Sequence, residues 1–266
     1  MKVIVTGAAG RMGRRLVANI AEAEDMTLAG ATERPGSEFL GLDAGRVAGT
    51  AEQNVKITDS LKGIIDNADV IIDFSTGNVL SNARLAAEKG VACVIGTTAL
   101  TAEEKNELRA LGEKGAKIVF ASNFSVGVNL LFHLSGIAAK ILGKDFDLEI
   151  IEAHHNQKKD APSGTAVRLA EILCEARGLD YEKDIRHGRE GLVGARTDHE
   201  IGMHAVRGGD IVGDHTVLFA AQGERVELIH KASSRDTFAK GALRAARFLE
   251  KAGPGLYDMQ DVLGLK

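Results

Sequence analysis

The first thirteen residues limit the fold more than any other stretch. The β-branched run Val3-Ile4-Val5 leads into Gly7-Ala8-Ala9-Gly10-Arg11-Met12-Gly13, after which Leu16, Val17 and Ile20 recur at helical spacing. Strand, glycine turn and helix in that order open a parallel nucleotide-binding sheet. Small residues let backbone N–H groups and the helix N-terminus approach a pyrophosphate, whose charge the helix dipole favours. Ala9 stands where the commoner fingerprint has its middle glycine, and a residue that small still permits the close approach. Gly7, Ala8, Ala9, Gly10, Arg11 and Met12 are therefore candidate cofactor residues. The alternative is a turn whose glycines serve only strand-to-helix packing.

The chain keeps the same rhythm as far as Phe120. Thr27 to Thr32, Val70 to Phe74, Val91 to Ile95 and Lys117 to Phe120 are apolar throughout and alternate with helical patterns near residues 78–89 and 102–115. Such strands belong to a parallel sheet covered on both faces, so the expected fold is a doubly wound α/β domain. Glu33 closes the second strand about 20 residues past the last glycine, where an acid accepts hydrogen bonds from an adenosine ribose. Arg34 beside it suits a 2′-phosphate, which leaves NADH and NADPH both open. Gly96-Thr97-Thr98 and Ala121-Ser122-Asn123-Phe124 end strands at the carboxyl edge of the sheet, where open α/β sheets bind ligands. Each is equally an ordinary strand-to-helix loop.

From about Val126 the pattern changes. A helical stretch, Leu130 to Leu142, is succeeded by a strand, a second helix after Ser163, and strand-like runs over Glu200 to Val206, Asp210 to Ala221 and Arg225 to Ala232. Consecutive strands with glycine turns predict a second α+β domain with an open mixed sheet. Thr237 to Lys251 reads as an amphipathic helix returning to the first domain. The expected division is residues 1–125 with 235–266 for the dinucleotide, and 126–234 for substrate and oligomerisation.

Chemistry concentrates between the strand Leu148-Glu149-Ile150-Ile151 and that second helix, in Glu152-Ala153-His154-His155-Asn156-Gln157-Lys158-Lys159-Asp160-Ala161-Pro162-Ser163-Gly164-Thr165. Adjacent His154 and His155 point to opposite faces if the strand persists, so one acts while the other packs. Lys158 offers a proton or a positive charge, with its pKa lowered if it is desolvated or set beside Lys159. Free N–H groups at a helix start opened by Ser163-Gly164-Thr165 suit a carboxylate. No His-Glu-x-x-His or Cys/His pair supports a metal. Arg207 and Arg235 lie on turns as basic candidates or plain exposed arginines, and His204, His215 and His230 read as core or interface histidines.

A formal charge of -4 argues against nucleic acid as the main partner. With two cysteines, Cys93 and Cys174, no disulfide framework is available, and a reducing cytoplasm fits. No apolar run approaches the 18 residues of a membrane span, so no membrane association is expected.

These motifs together resemble the 4-hydroxy-tetrahydrodipicolinate (dihydrodipicolinate) reductase family. The resemblance runs from Val5-Thr6-Gly7 to Gly13, through Glu33-Arg34, Gly96-Thr97-Thr98, Asn123 to Gly127 and Glu152 to Ala166, to Gly213-Asp214-His215-Thr216-Val217, Ala232 to Arg235 and Gly255 to Met259. It implies NAD(P)H-dependent reduction of a small dicarboxylate ring in the diaminopimelate route to lysine, a homotetramer, and hinge closure between domains. It also implies proton transfer by His154 and Lys158, with Lys158 as donor, and substrate contacts from His155, Ser163, Gly164 and Thr165. Where some members carry Arg-His between the second histidine and the lysine, this chain has Asn156-Gln157. Two rival functions fit the same plan: a thiol-dependent semialdehyde-type dehydrogenase, and a nucleotide-sensing protein without turnover.

Overall fold

The computed structural model describes residues 1–97 and 100–266; Thr98, one of the candidate cofactor residues, lies outside them. The strands are β1 (Lys2–Thr6), β2 (Thr27–Thr32), β3 (Ile57–Thr58), β4 (Val70–Asp73), β5 (Ala92–Ile95), β6 (Lys117–Phe120), β7 (Asp147–His154), β8 (Ile185–His187), β9 (Ile201–Arg207), β10 (Gly213–Ala221), β11 (Glu224–Ala232) and β12 (Gly255–Tyr257). The helices are α1 (Arg11–Ala21), α2 (Ala44–Ala48), α3 (Val79–Lys89), α4 (Ala102–Glu113), α5 (Val126–Leu142), α6 (Gly164–Arg177), α7 (Tyr181–Asp184), α8 (Asp236–Lys251) and α9 (Met259–Leu263). They form two compact units, Met1–Val126 with Arg235–Lys266, and Gly127–Ser234.

The first unit is a seven-stranded parallel sheet in the order β12-β6-β5-β4-β1-β2-β3. Alternation along each strand sends side chains to two separate cores. Val3, Val5, Ile72 and Val94 meet Leu16, Val17 and Ile20 of α1 and Ala242, Leu243 and Ala246 of α8. Ile4, Ile71, Cys93 and Ile95 meet Ala83 and Ala86 of α3 and Leu108 of α4 on the opposite side. Each such fully buried aliphatic side chain contributes about 1.5–3 kcal/mol, which is why these strands carry no polar alternation. Polar contacts fix α8 against α1 and the turn after it: Asp236 takes Arg15 Nε at 2.5 Å and Asn19 Nδ2 at 3.0 Å, and Arg247 pairs with Asp25 in that turn. The chain runs outward from β1 through β2 and β3, then restarts beside β1 at β4 and runs the other way. The carboxyl ends of β1 and β4 thus flank a topological switch point, the place where such sheets bind ligands.

The second unit is a five-stranded mixed sheet in the order β11-β10-β7-β9-β8, with β10 antiparallel to both neighbours and β7, β9 and β8 parallel. The α/β plus α+β class expected from the sequence is therefore observed. Val128, Leu131 and Phe132 of α5 and Leu169, Ala170 and Leu173 of α6 cover one face, packing on Leu148, Ile150, Met203, Val217 and Phe219. Three short strands, β3, β8 and β12, were not anticipated, because two or three residues carry too little period to read. One sequence expectation needs correcting: Val126–Asp145 is long and apolar enough to span a membrane by length and composition, with a mean hydropathy of 1.5. Its polar residues, among them Asn129, His133 and Ser135, hid that length, and its inner side is committed to the core just described.

Candidate active site

In the first unit the glycine turn is shaped by contacts that leave no room for side chains. Gly7 has φ +64°, and a Cβ there would lie 3.3 Å from Ser75 at the end of β4. A Cβ on Gly13 would stand 2.0 Å from the Gly7 carbonyl oxygen, so helix α1 can seat against the turn only with glycine at that position. No side chain caps the start of α1, whose first N–H groups remain for an anion. The N–H of Ala8 is already spent on the Thr32 carbonyl at 2.9 Å, and its methyl is core. Ala8 therefore helps to shape the turn. Met12 likewise packs at the edge of that core.

Glu33 reaches back to this turn. Its carboxylate accepts from the Ala9 N–H at 3.1 Å and the Arg34 N–H at 3.0 Å, while Arg34 itself is exposed. At the neighbouring carboxyl edge, a Cβ on Gly96 would meet the Phe74 ring at 2.3 Å, and Phe74 packs on Phe124 with centroids 5.3 Å apart. Phe124 is 1% exposed. Its ring is taken up by apolar packing in the core of this unit. Thr97 is buried, Ala121 is half-buried and bonds Ile95 through its N–H, and Ser122 is exposed. The Asn123 side-chain oxygen accepts from the Ser125 N–H at 2.8 Å. The dinucleotide implied by the resemblance fits a turn with no room for a side chain at Gly7 or Gly13 and a helix start without a side-chain cap.

In the second unit, strand β7 carries its apolar row Leu148 and Ile150 on the helix-covered face and continues that row into Glu152 and His154. The same register brings Arg207 from β9 beside His154, and Gly213 and His215 from β10 onto the same face. Where the covering helices run out, the row turns polar. Glu152 is fully buried. One of its oxygens accepts from His154 Nδ1 at 2.6 Å and Arg207 Nη1 at 2.8 Å, and the other from Arg207 Nη2 at 2.9 Å and the Ser163 N–H at 3.0 Å. Burial pushes this carboxyl up, but bonds from His154, Arg207 and Ser163 outweigh that and hold it down at about 2.

Ser163 caps α6 by accepting from the Ala166 N–H at 3.2 Å, and its hydroxyl lies 3.1 Å from His215 Nε2. Burial, then the nearby His154, press His215 down to about 3, so it is neutral at physiological pH. Strand β7 ends at His154, so His155 leaves the sheet for the turn beyond it. Lys158 has an anion as its near neighbour, where the sequence suggested a second cation: Asp160 lies 2.9 Å from Nζ. Gly164 sits exposed at the start of α6, where an added Cβ would meet nothing. No packing demand explains that glycine.

Against known proteins, the family described as Dihydrodipicolinate reductase, N-terminus, matches residues 1–124, and Dihydrodipicolinate reductase, C-terminus, matches 127–263. The chain belongs to the dihydrodipicolinate reductase family. Proteins named 4-hydroxy-tetrahydrodipicolinate reductase from Geotalea daltonii and Geobacter sulfurreducens are each 52% identical to it, the first covering 100% of both chains and the second 100% of this chain and 99% of its own. A dipicolinate-bound dihydrodipicolinate reductase from Paenisporosarcina sp. TG-14 superposes with a TM-score of 0.78 at 28% identity, covering 98% of each chain. A myo-inositol dehydrogenase from Corynebacterium glutamicum, at 17% identity and TM-score 0.62 over 100% of this chain and 93% of its own, shares the fold.

Within this member of the dihydrodipicolinate reductase family, sequence reasoning singled out His154, Lys158 and Ser163 but did not foresee the company they keep. Arg207, read as an even choice between role and exposed turn, is the second anchor of the cluster, and His215, read as core, touches Ser163. The signal for Arg207 was parity: it lies an even number of residues beyond Ile201 and Met203, both buried. Arg235 is the N-cap residue of α8 and belongs to the first unit.

Proposed function

We propose that the chain is a 4-hydroxy-tetrahydrodipicolinate reductase: it adds hydride and a proton to the ring, releases its hydroxyl as water, and yields tetrahydrodipicolinate for lysine by the diaminopimelate route. The observation that carries this reading is the polar end of the covered sheet face, where an imidazole, an ammonium and a carboxylate-accepting helix start converge on the few residues from 152 to 165. Full-length identity of 52% to proteins of that name supports it.

When bound over Gly7 to Gly13, NADH or NADPH supplies the hydride. Glu33 exchanges its Ala9 N–H for ribose hydroxyls, and exposed Arg34 remains to pair with a 2′-phosphate, so both cofactors are accepted. Arg11, Gly96, Thr97 and the segment Ala121 to Phe124 complete that site. Hydride arrival builds negative charge on a ring whose conjugated C=N is the electron sink. Lys158 is the proton source that neutralises it, and His154 exchanges protons beside it. The substrate carboxylates lie against His155 and the start of α6 at Ser163, Gly164 and Thr165, and the unexplained glycine at 164 leaves the room such an approach needs.

The thiol-dependent rival lacks a nucleophile. Burial, then Asp184, Asp180 and Glu171, push Cys174 up to about 11, and buried Cys93 is pushed up as well. Two free buried thiols also suit the reducing cytoplasm. The test of function is an assay with freshly made substrate and deuterium-labelled cofactor. Label is expected in the product ring; cofactor binding without substrate-dependent oxidation would leave the nucleotide-sensing alternative instead.

We also propose a homotetramer built on the second unit. The face of its sheet opposite the helices carries Val206 and Ile229, both about half exposed, and α5 exposes Leu130, Leu134, Ile137 and Ile141 in one stripe. Leu192, fully exposed on a loop, is a further large apolar side chain that this unit leaves in water. Light scattering on the eluting protein should give four times the 28.1 kDa chain mass; a monomer at micromolar concentration would refute the assembly.

A further inference from the structure

We propose that Glu152 is a positioning residue for the reduction: its buried carboxylate holds the His154 ring with the proton on Nδ1, leaving the Nε2 lone pair as the atom that exchanges protons at the site. This rests on the function proposed above and adds to it a residue that touches no substrate.

The donors around the carboxylate decide the tautomer. A carboxylate can only accept, and the four bonds to Glu152 come from His154 Nδ1, both Arg207 terminal nitrogens and the Ser163 N–H. Arginine and a peptide nitrogen are donors in every state. His154 Nδ1 is the one partner whose role depends on the tautomer, and beside an anion at 2.6 Å it must carry its hydrogen. The opposite ring atom, Nε2, makes no hydrogen bond among the described residues. It stands 3.0 Å from where a Cβ on Gly213 would lie, so glycine on β10 leaves that edge of the ring clear.

The same carboxylate ties three distant pieces together. Through His154 it sets the end of β7, through the Ser163 N–H the start of α6, and through Arg207 the end of β9. Arg207 Nη2 also donates to the Asp160 carbonyl at 2.7 Å. The loop from His155 to Pro162, with Lys158 on it, is thus pinned at both ends by one buried ion pair. The charged and titratable groups at Glu152 are His154 on its own strand, Arg207 from β9 and, across the sheet register, His215 from β10.

Glu152→Gln tests this with almost no change of shape. A glutamine must turn its NH2 toward one pair of donors, and His154 Nδ1 is the one group able to become an acceptor. The variant should therefore move the hydrogen of His154 from Nδ1 to Nε2. In protein labelled with 15N-histidine, with the ring neutral, the bare nitrogen of His154 should be Nε2 in the parent and Nδ1 in the variant. In turnover, kcat should fall on the order of 100-fold with both KM values within about threefold, and Glu152→Asp, which keeps the charge, should recover part of it.

A parent His154 bare at Nδ1, an unchanged tautomer in the variant, or a loss confined to KM would overturn the proposal. If Glu152→Gln does not fold, the parent measurement alone still decides it. If the parent does not reduce the substrate at all, the function assignment fails, while the tautomer result stands or falls separately.

Discussion

Replacing Lys158 by Ala is expected to lower kcat about 1000-fold while the KM for substrate changes less than about fivefold. The lysine comes after β7 on a loop anchored at His154 and Ser163, and its ammonium rests 2.9 Å from Asp160. The Asp160 side chain is 62% exposed, so this pair contributes no more than about 1 kcal/mol and opens readily when a substrate carboxylate arrives. Losing it should leave the melting temperature nearly unchanged. The cost appears where negative charge develops on the reduced ring with no proton at hand, and that is a transition-state loss. Steady-state kinetics on the parent and variant decide the point: a raised KM with kcat intact would reassign Lys158 to binding alone.

Gly13→Ala should produce the second large effect, on the cofactor. The added methyl carbon would fall 2.0 Å from the Gly7 carbonyl oxygen and within 2.8 Å of two Ala8 backbone atoms. None of these is the movable end of a side chain, so α1 must back away from the turn. Overpacking of this kind costs about 1–3 kcal/mol. Part of that should appear as a melting temperature lower by several degrees, at about 2–4 °C per kcal/mol for a chain of this size. The rest should appear as NADH binding at least about tenfold weaker, because the uncapped helix start leaves the pyrophosphate position. Calorimetric titration with NADH against a thermal melt separates the two, and an unchanged affinity would mean that the phosphate is held elsewhere.

Local periodicity made much of the molecule readable in advance. The stretch from Val3 to Ile20 declared strand, turn and helix because all its determinants are local in the sequence. The apolar strands of the first unit declared themselves because both faces are covered, and α8 because its stripe of Ala239, Ala242, Leu243 and Ala246 has nowhere else to go. The loop from Glu152 to Thr165 announced its chemistry by composition alone. Short β3, β8 and β12 were invisible, since their strand state comes from neighbours in the sheet and not from their own residues.

What the chain determined by itself was which groups exist and which local elements carry them: the glycine turn, the histidine-lysine loop and the capped helix after it. What only the tertiary structure decided was partnership. Glu152 meets Arg207 because parallel pairing of β7 and β9 brings the two strands into register, and Ser163 meets His215 because β10 pairs antiparallel to β7. Those residues are separated by some fifty positions in sequence, and no local propensity encodes a distance of that kind. Strand register, set by the burial of whole apolar rows, is what turns a buried acid, an arginine and two histidines into one site.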